Sequence, residues 1–343
     1  MLAARFVFAV GALAVCLLAA APAAAQTPAA PVNDDCLACH GDSAAVRANG
    51  SSVAVAADVV AKSVHGPLTC VSCHAGLATT TEWPHAEKVA AVACSTCHGQ
   101  EGRNYDDSVH GRAVAKSGLA VAPRCSTCHG THDIQRPSNT GSSVHRAKIA
   151  GTCTKCHEGI APLYAKSVHA QPLGPNQSAA AVCSDCHTAH RIQRGDTDAW
   201  RLSVIDECGT CHLQRISSYR DNFHGQKTTL GSTRTATCSS CHDHHVILPA
   251  SNPASAVAPQ NLVATCRSCH PQASQAFVKY DPHADKHDAA RSAPVYWTYR
   301  LMQVLLLGVF AFFGAHTLLW FPRSYRARRE RRAAAAAKED SSS

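Results

Sequence analysis

The chain has 343 residues, a formal net charge of +8, 6% aromatic residues and a 45% apolar fraction rich in alanine. So small a supply of Phe, Leu and Ile excludes the hydrophobic core that a chain this long normally buries. Nine of its basic residues lie at Arg5, at Arg300 and beyond Pro322; without them and the tail acids Glu330, Glu339 and Asp340, 23 basic side chains face 21 acidic ones, which leaves no basic face for nucleic acid.

Residues 1–25 have the form of a secretory signal peptide: basic Arg5, an apolar run from Phe6 to Ala21, and an Ala-x-Ala end before Gln26. Cys16 makes a poor lipidation site, because the apolar run continues past it and Val15 is large. Residues 26–35 form a Pro/Ala linker.

From Cys36 onward the chain repeats the unit Cys-x-x-Cys-His nine times. The units are Cys36/Cys39/His40, Cys70/Cys73/His74, Cys94/Cys97/His98, Cys125/Cys128/His129, Cys153/Cys156/His157, Cys183/Cys186/His187, Cys208/Cys211/His212, Cys238/Cys241/His242 and Cys266/Cys269/His270. They use eighteen of the nineteen cysteines, leaving only Cys16 and no thiol for a disulfide. The unit is the attachment signature of c-type haem: two thiols bond the porphyrin and the adjacent His takes one axial position on iron. Zinc is the plainer reading of Cys-x-x-Cys with His, but nine copies of the full unit on an exported chain favour haem. The expectation is nine covalent haems, whose porphyrins stand in for the missing core.

The odd-numbered units start 58, 59, 55 and 58 residues apart, a period that predicts repeats carrying two haems each and stacked along an axis. The fold expected over 36–290 is haem-cored, extended and mostly irregular. Repeats start near 36, 94, 153, 208 and 266, short α-helices carry the units, Gly/Ser/Pro-rich loops join them, and there is little or no sheet.

The stretch 296–321 predicts a transmembrane helix. Leu301 to Phe321 is almost continuously apolar for 21 residues, roughly 31 Å as a helix. Tyr296, Trp297, Tyr299 and Trp320 mark its boundaries, and Arg323, Arg326, Arg328, Arg329, Arg331 and Arg332 follow it. The positive-inside rule then puts the tail 322–343 in the cytoplasm and the haem domain in the periplasm, on a single-pass anchor in the inner membrane. Residues 333–343 are expected to be disordered.

Met1 lies in the leader and Met302 in the membrane segment, so the haem domain has no methionine to ligate iron and every second axial ligand has to be His. His110, His169 and His224 each lie sixteen residues after the first Cys of an odd-numbered unit, His283 lies seventeen after, and His65 lies 29 after. Three of these share Ser-Val-His, at Ser63–His65, Ser108–His110 and Ser167–His169. A second class, His132, His190 and His245, lies seven residues after Cys125, Cys183 and Cys238 in a CHxxHxI frame completed by Ile134, Ile192 and Ile247. Leu77 breaks that frame in the first repeat, where His85 is the nearest substitute. These nine are the distal ligand candidates. A His three residues past a proximal one cannot easily reach the far face of the same porphyrin, so it is expected on a neighbouring haem. His145, His244, His287 and His316 are left over, and His145, in a Ser-Val-His of its own, competes with His132 or His85.

Over about Cys36 to His283 the chain resembles the multihaem c-type cytochromes, in particular class III-like and nitrite-reductase-partner-like periplasmic electron carriers. Gly314–Ser324, GAHTLLWFPRS, is similar to the membrane segment of nine-haem cytochromes that accompany a di-haem cytochrome b in quinol-linked redox complexes. The resemblance implies a membrane-anchored electron carrier rather than an enzyme. Its partners would be a cytochrome b-type or quinol-oxidising membrane subunit and periplasmic or outer-membrane redox proteins. It also implies a haem b or quinone shared with that subunit near His316, an ionisable residue inside the spanning segment. The alternative is a multihaem reductase or oxidase of a small nitrogen or sulfur compound, which needs one five-coordinate haem. Such a haem often sits on Cys-x-x-Cys-Lys, which this chain lacks, although the irregular repeat at Cys70/Cys73/His74 is a place where a vacancy could sit.

Overall fold

The structure is a computed structural model that describes residues 30–171 and 180–341. The signal peptide expected over residues 1–25, with Cys16, and residues 26–29 of the linker lie outside the described residues. Contacts divide the chain into two compact units, Met1–Thr152 and Cys153–Ser343.

Both units are built from short helices and loops. Among the described residues there is no strand, only one isolated antiparallel bridge between Val46 and Ser52. The Cys-x-x-Cys-His units sit on helices in two alternating ways. At even-numbered units the pentapeptide opens its own helix, as in Cys125–His129, Cys183–His187 and Cys238–His242, with Cys70–Cys73 similar. Each of the first three is started by the residue before the second Cys, whose side chain accepts from the backbone N–H ahead of the helix: Arg124 N to Thr127 Oγ1, 3.0 Å; Val182 N to Asp185 Oδ2, 2.8 Å; Thr237 N to Ser240 Oγ, 3.1 Å. Most odd-numbered units instead close a helix that begins upstream, as in Asn33–His40, Arg146–Thr154, Asp198–Cys211 and Leu262–Arg267. The first of these starts inside the expected linker, because Asp35 Oδ2 accepts from Val32 N at 2.8 Å and organises its first turn.

The buried residues are few and mostly small. Among the described residues the buried apolar ones are Ala122, Val204, Ile205, Tyr219, Ala258 and Ala273, while Ser108 and Ser167 are each only 1% exposed. These serines occupy repeated positions. Ser63 Oγ and Val64 N both donate to the Ile134 carbonyl, at 3.0 and 2.9 Å; Ser167 Oγ and Val168 N both donate to that of Ile247, at 3.4 and 2.9 Å. In each unit, therefore, a Ser-Val-His segment is clamped to the isoleucine of a CHxxHxI frame from the following repeat. A second link uses tyrosine three residues ahead of the distal histidine's capping residue. Tyr105, Tyr164 and Tyr219 donate to the carbonyls of Pro123, Ala181 and Ala236, at 2.9, 2.9 and 2.7 Å, two residues before the next Cys-x-x-Cys-His. Val60 stands at this position in the first repeat, where the link is missing.

The C-terminal helix, Ala293–Asp340, is longer at both ends than the expected 296–321. Its tail is helical rather than disordered, because residues 333–337 are five alanines, the strongest helix formers. The helix is long and apolar enough to cross a membrane, and its apolar window is unburied by the rest of the chain.

Candidate functional site

Seven of the nine proximal histidines face a second imidazole at nearly constant separation. Ring centres are 6.0 Å apart for His40/His85, 6.0 Å for His98/His65, 6.3 Å for His74/His132, 6.2 Å for His212/His169, 6.1 Å for His187/His245, 6.0 Å for His270/His224 and 6.2 Å for His242/His283. His110, His129, His157 and His190 also have interaction partners. The angles between paired rings range from 16° to 68°. Directly stacked rings would favour particular angles; a metal atom between them would leave the twist free. Two imidazoles bonded at about 2 Å on opposite sides of one metal have ring centres about 6 Å apart once each ring's own radius is added.

The second nitrogens support this geometry. His40 Nδ1 donates to the Val53 carbonyl at 2.9 Å and His85 Nδ1 to that of Ala86 at 2.8 Å. Ser218 Oγ lies 3.2 Å from His283 Nδ1 and donates its own proton to the Arg215 carbonyl at 3.1 Å, so it accepts from the imidazole. A proton fixed on Nδ1 leaves Nε2 unprotonated to bind a metal. Burial first, then the opposite imidazole, hold His74, His169, His187, His224 and His283 below the ordinary histidine pKa, which favours the neutral ligating form.

Among the described residues no group of three or more His, Cys, Asp or Glu is placed to hold a metal ion. A pair of histidines with an unbridged Cys pair beside the proximal one fits a porphyrin-bound iron, which brings four nitrogens of its own, and not zinc. Cys36 and Cys70, Cys94 and Cys125, Cys153 and Cys183, and Cys208 and Cys238 are within hydrogen-bonding reach of each other. The hydrogen bond to Cys153 lowers the Cys183 thiol to about 7, and burial pushes Cys186 up to about 11. Cys73 lies close to Cys94 and Cys97, Cys186 to Cys208, and Cys241 to Cys266 and Cys269. In the haem-loaded chain these sulfurs are thioethers. Their positions then set attachment points side by side in chain order within each unit.

The sequence treats all eighteen cysteines alike, and Cys39, Cys128 and Cys156 depart from that expectation. Cys39 and Cys156, the second cysteines of their units, are exposed rather than gathered into this row of sulfurs. Cys39 lies in the last turn of Asn33–His40, and Cys156 lies past the end of Arg146–Thr154, where each chain leaves its packed helix. Cys128 is half-buried, and its carbonyl takes a hydrogen bond from Ser143 Oγ. For these three, attachment of a porphyrin is supported by the motif and not by the thiol surroundings.

The pairing obeys one rule in the interior of each unit. A first-class His serves the next odd-numbered unit: His65 faces His98, His169 faces His212, and His224 faces His270. A CHxxHxI His serves the preceding even-numbered unit: His132 faces His74 and His245 faces His187. The backbone makes that backward reach by turning sharply after the proximal His, where Gly130, Thr188 and Asp243 have φ of 85°, 63° and 67°. The rule also accounts for Leu77. The first repeat has no earlier even-numbered unit to serve, Ala75–Leu77 is a 3-10 helix without the turn, and no ligand is presented there. The ends are improvised. His40 has no preceding Ser-Val-His and faces His85; His242 has no following CHxxH and faces His283. His132 opposite His74 fills the place where the irregular first repeat could have left an iron open.

His145 and His244 have other roles. His145 Nδ1 accepts from Ala147 N at 3.3 Å at the start of the helix Arg146–Thr154, and His244 Nδ1 lies 3.3 Å from Asp243 Oδ1. Sequence reasoning missed Tyr105, Tyr164 and Tyr219, although their fixed place ahead of the distal histidines was visible, and it missed Ser218, which has no pattern to reveal it.

The family model described as cytochrome c7 and related cytochrome c matches residues 138–213. That stretch contains three Cys-x-x-Cys-His units, with His169 and His190 between and after them. These findings support a multihaem c-type cytochrome. No curated protein and no solved structure matches the chain. As a multihaem cytochrome c the chain binds haem covalently through its Cys-x-x-Cys-His units and belongs to electron transport, with one C-terminal helix able to act as a membrane anchor.

Proposed function

We propose that this protein is a periplasmic electron carrier with nine covalent haems. Each iron would be held by two histidines, and the protein would be fixed to the inner membrane by Ala293–Asp340 with its C-terminus in the cytoplasm. The eighteen cysteines from Cys36 to Cys269, with Cys39, Cys128 and Cys156 among them, attach the porphyrins. His40, His74, His98, His129, His157, His187, His212, His242 and His270 supply the proximal ligands. His65, His85, His110, His132, His169, His190, His224, His245 and His283 supply the distal ones. Electrons pass between the quinone pool, through a membrane partner of cytochrome b type, and periplasmic or outer-membrane redox proteins.

The observation that carries this reading is the seven-fold recurrence of proximal histidines facing a second imidazole at 6.0–6.3 Å. An iron closed on both faces has no place for a substrate, which suits transfer of electrons and not turnover of a small molecule. Bound haem c supplies one-electron chemistry at iron. The chain's residues do the rest. The cysteines fix the spacing, the Nδ1 partners fix each imidazole's tautomer, and the serine and tyrosine links hold consecutive repeats in register. Intact-mass measurement of the mature protein tests the haem count: the reading requires an increment of nine haems, and a smaller one contradicts it.

A further inference from the structure

His283 lies in the segment that leads directly into the membrane helix, and that segment is tied to the helix Leu213–Asp221 before it. Asn222 Nδ2 donates to the Pro282 carbonyl at 2.6 Å, Lys286 Nζ bonds Asp221 at 2.9 Å, and Asp285 N donates to buried Ser292 Oγ at 3.0 Å. The same segment brings polar groups to the head of the membrane helix. His287 lies edge-on to Tyr299 with ring centres 5.5 Å apart, and Lys286 Nζ sits 5.4 Å above the Tyr299 ring. Gln303 Nε2 donates to the Tyr299 hydroxyl at 3.0 Å, while Gln303 Oε1 accepts from Arg300 at 3.1 Å. Asp221 and Asp285 are the acids of this cluster, and Asp221 is held by Lys286. Among the described residues neither ring nitrogen of His287 has a hydrogen-bond partner, and the Tyr299 hydroxyl proton has no acceptor.

Taken with the proposed electron-carrier function, on which this inference rests, we propose that Tyr299 and His287 form a binding site on this chain itself for a lipid-soluble hydroquinone, delivering its electrons to the iron held by His242 and His283. Tyr299 donates a hydrogen bond to one headgroup oxygen and His287 accepts from the other. Lys286, kept charged by Asp221, favours the anion left when the first proton departs. The redox balance is that of hydroquinone oxidation. Two O–H bonds break, two C=O bonds form, and two electrons leave one at a time to ferric haem c. Two protons leave in turn through the His287 imidazole to water. The site lies on the haem-domain side of the membrane helix. His316, seventeen residues further on in that helix, is about 26 Å away at 1.5 Å per residue.

The test uses the full-length haem-loaded protein in lipid vesicles, with menadiol as reductant and haem absorbance as readout. Tyr299→Phe keeps the ring that packs against Lys286 and His287 and removes only the hydroxyl; His287→Ala removes the acceptor. Both variants should slow menadiol reduction at least tenfold while haem content and dithionite reduction stay those of the parent protein. A quinolone N-oxide analogue of the headgroup should bind the parent with saturable fluorescence quenching and bind Tyr299→Phe at least tenfold more weakly. Unchanged menadiol rates and unchanged quenching in both variants would overturn the site. A parent protein that dithionite cannot reduce as several haems would instead overturn the electron-carrier reading.

Discussion

Thr188 and Asp243 stand where Gly130 stands in the second repeat, directly after a proximal histidine, with φ of 63° and 67° and an extended ψ. That region is open to glycine and costs other residues about 1–3 kcal/mol. The cost is accepted because the turn sends His245 back towards His187. Replacing Thr188 with Gly should therefore raise stability by about 1 kcal/mol, strain relief of that order less the extra chain entropy of glycine. Denaturant unfolding of the loaded protein reads the change, with no expected alteration in the visible spectrum. His85 offers a sharper contrast. It carries neither the Ser-Val-His nor the CHxxHxI frame, yet it lies opposite His40 with its Nδ1 anchored on Ala86. His85→Ala should convert one iron from low to high spin and leave the others unchanged, measured by magnetic circular dichroism.

At the scale of elements the clamps decide the register. The carbonyl of Ile134 takes bonds from both Ser63 Oγ and Val64 N, so the loss of one leaves the other. Ser63→Ala should cost about 1 kcal/mol. Val64→Pro, which removes the backbone donor and constrains the residue before it, should cost more and also release His65 from His98. Unfolding midpoints with near-infrared ligand spectra distinguish the two. Gly225 tolerates nothing larger, since a Cβ there would meet the Tyr219 carbonyl oxygen at 1.9 Å. Gly225→Ala should destabilise by about 1–3 kcal/mol by overpacking, and Gly111, with the corresponding contact to Tyr105 at 2.1 Å, should behave alike.

Much of this was legible in the chain, for physical reasons that differ from residue to residue. Cys-x-x-Cys-His was readable because covalent attachment fixes its spacing, and Ser-Val-His because a buried hydroxyl clamp repeats with the period. The unequal surroundings of Cys39, Cys128 and Cys156 were not readable, because the motif fixes spacing along the chain and not how far a helix end is covered. The partners of His85 and His283 were hidden too. Each lies at an end of the array, where no neighbouring repeat imposes a spacing, and only the folded backbone brings them opposite His40 and His242. Leu77 looked like a defect because one repeat was compared with another; its absent histidine follows once each CHxxHxI is seen to serve the unit before it. The helical tail was misjudged because charge and low complexity were weighed above the propensity of consecutive alanines.

For the whole molecule, the shortage of buried apolar residues has a thermodynamic consequence. The six buried among the described residues cannot offset the entropy of ordering this chain, so haem attachment and folding are coupled. The same chain produced without haem should show no cooperative unfolding transition by circular dichroism, where the loaded form shows one. Electron paramagnetic resonance of the fully oxidised, full-length protein, recorded with and without nitrite and hydroxylamine, tests the central claim most directly. Histidine on both faces of every iron predicts low-spin ferric signals throughout, unchanged by either compound. A high-spin signal equivalent to one iron or more that responds to them would contradict it.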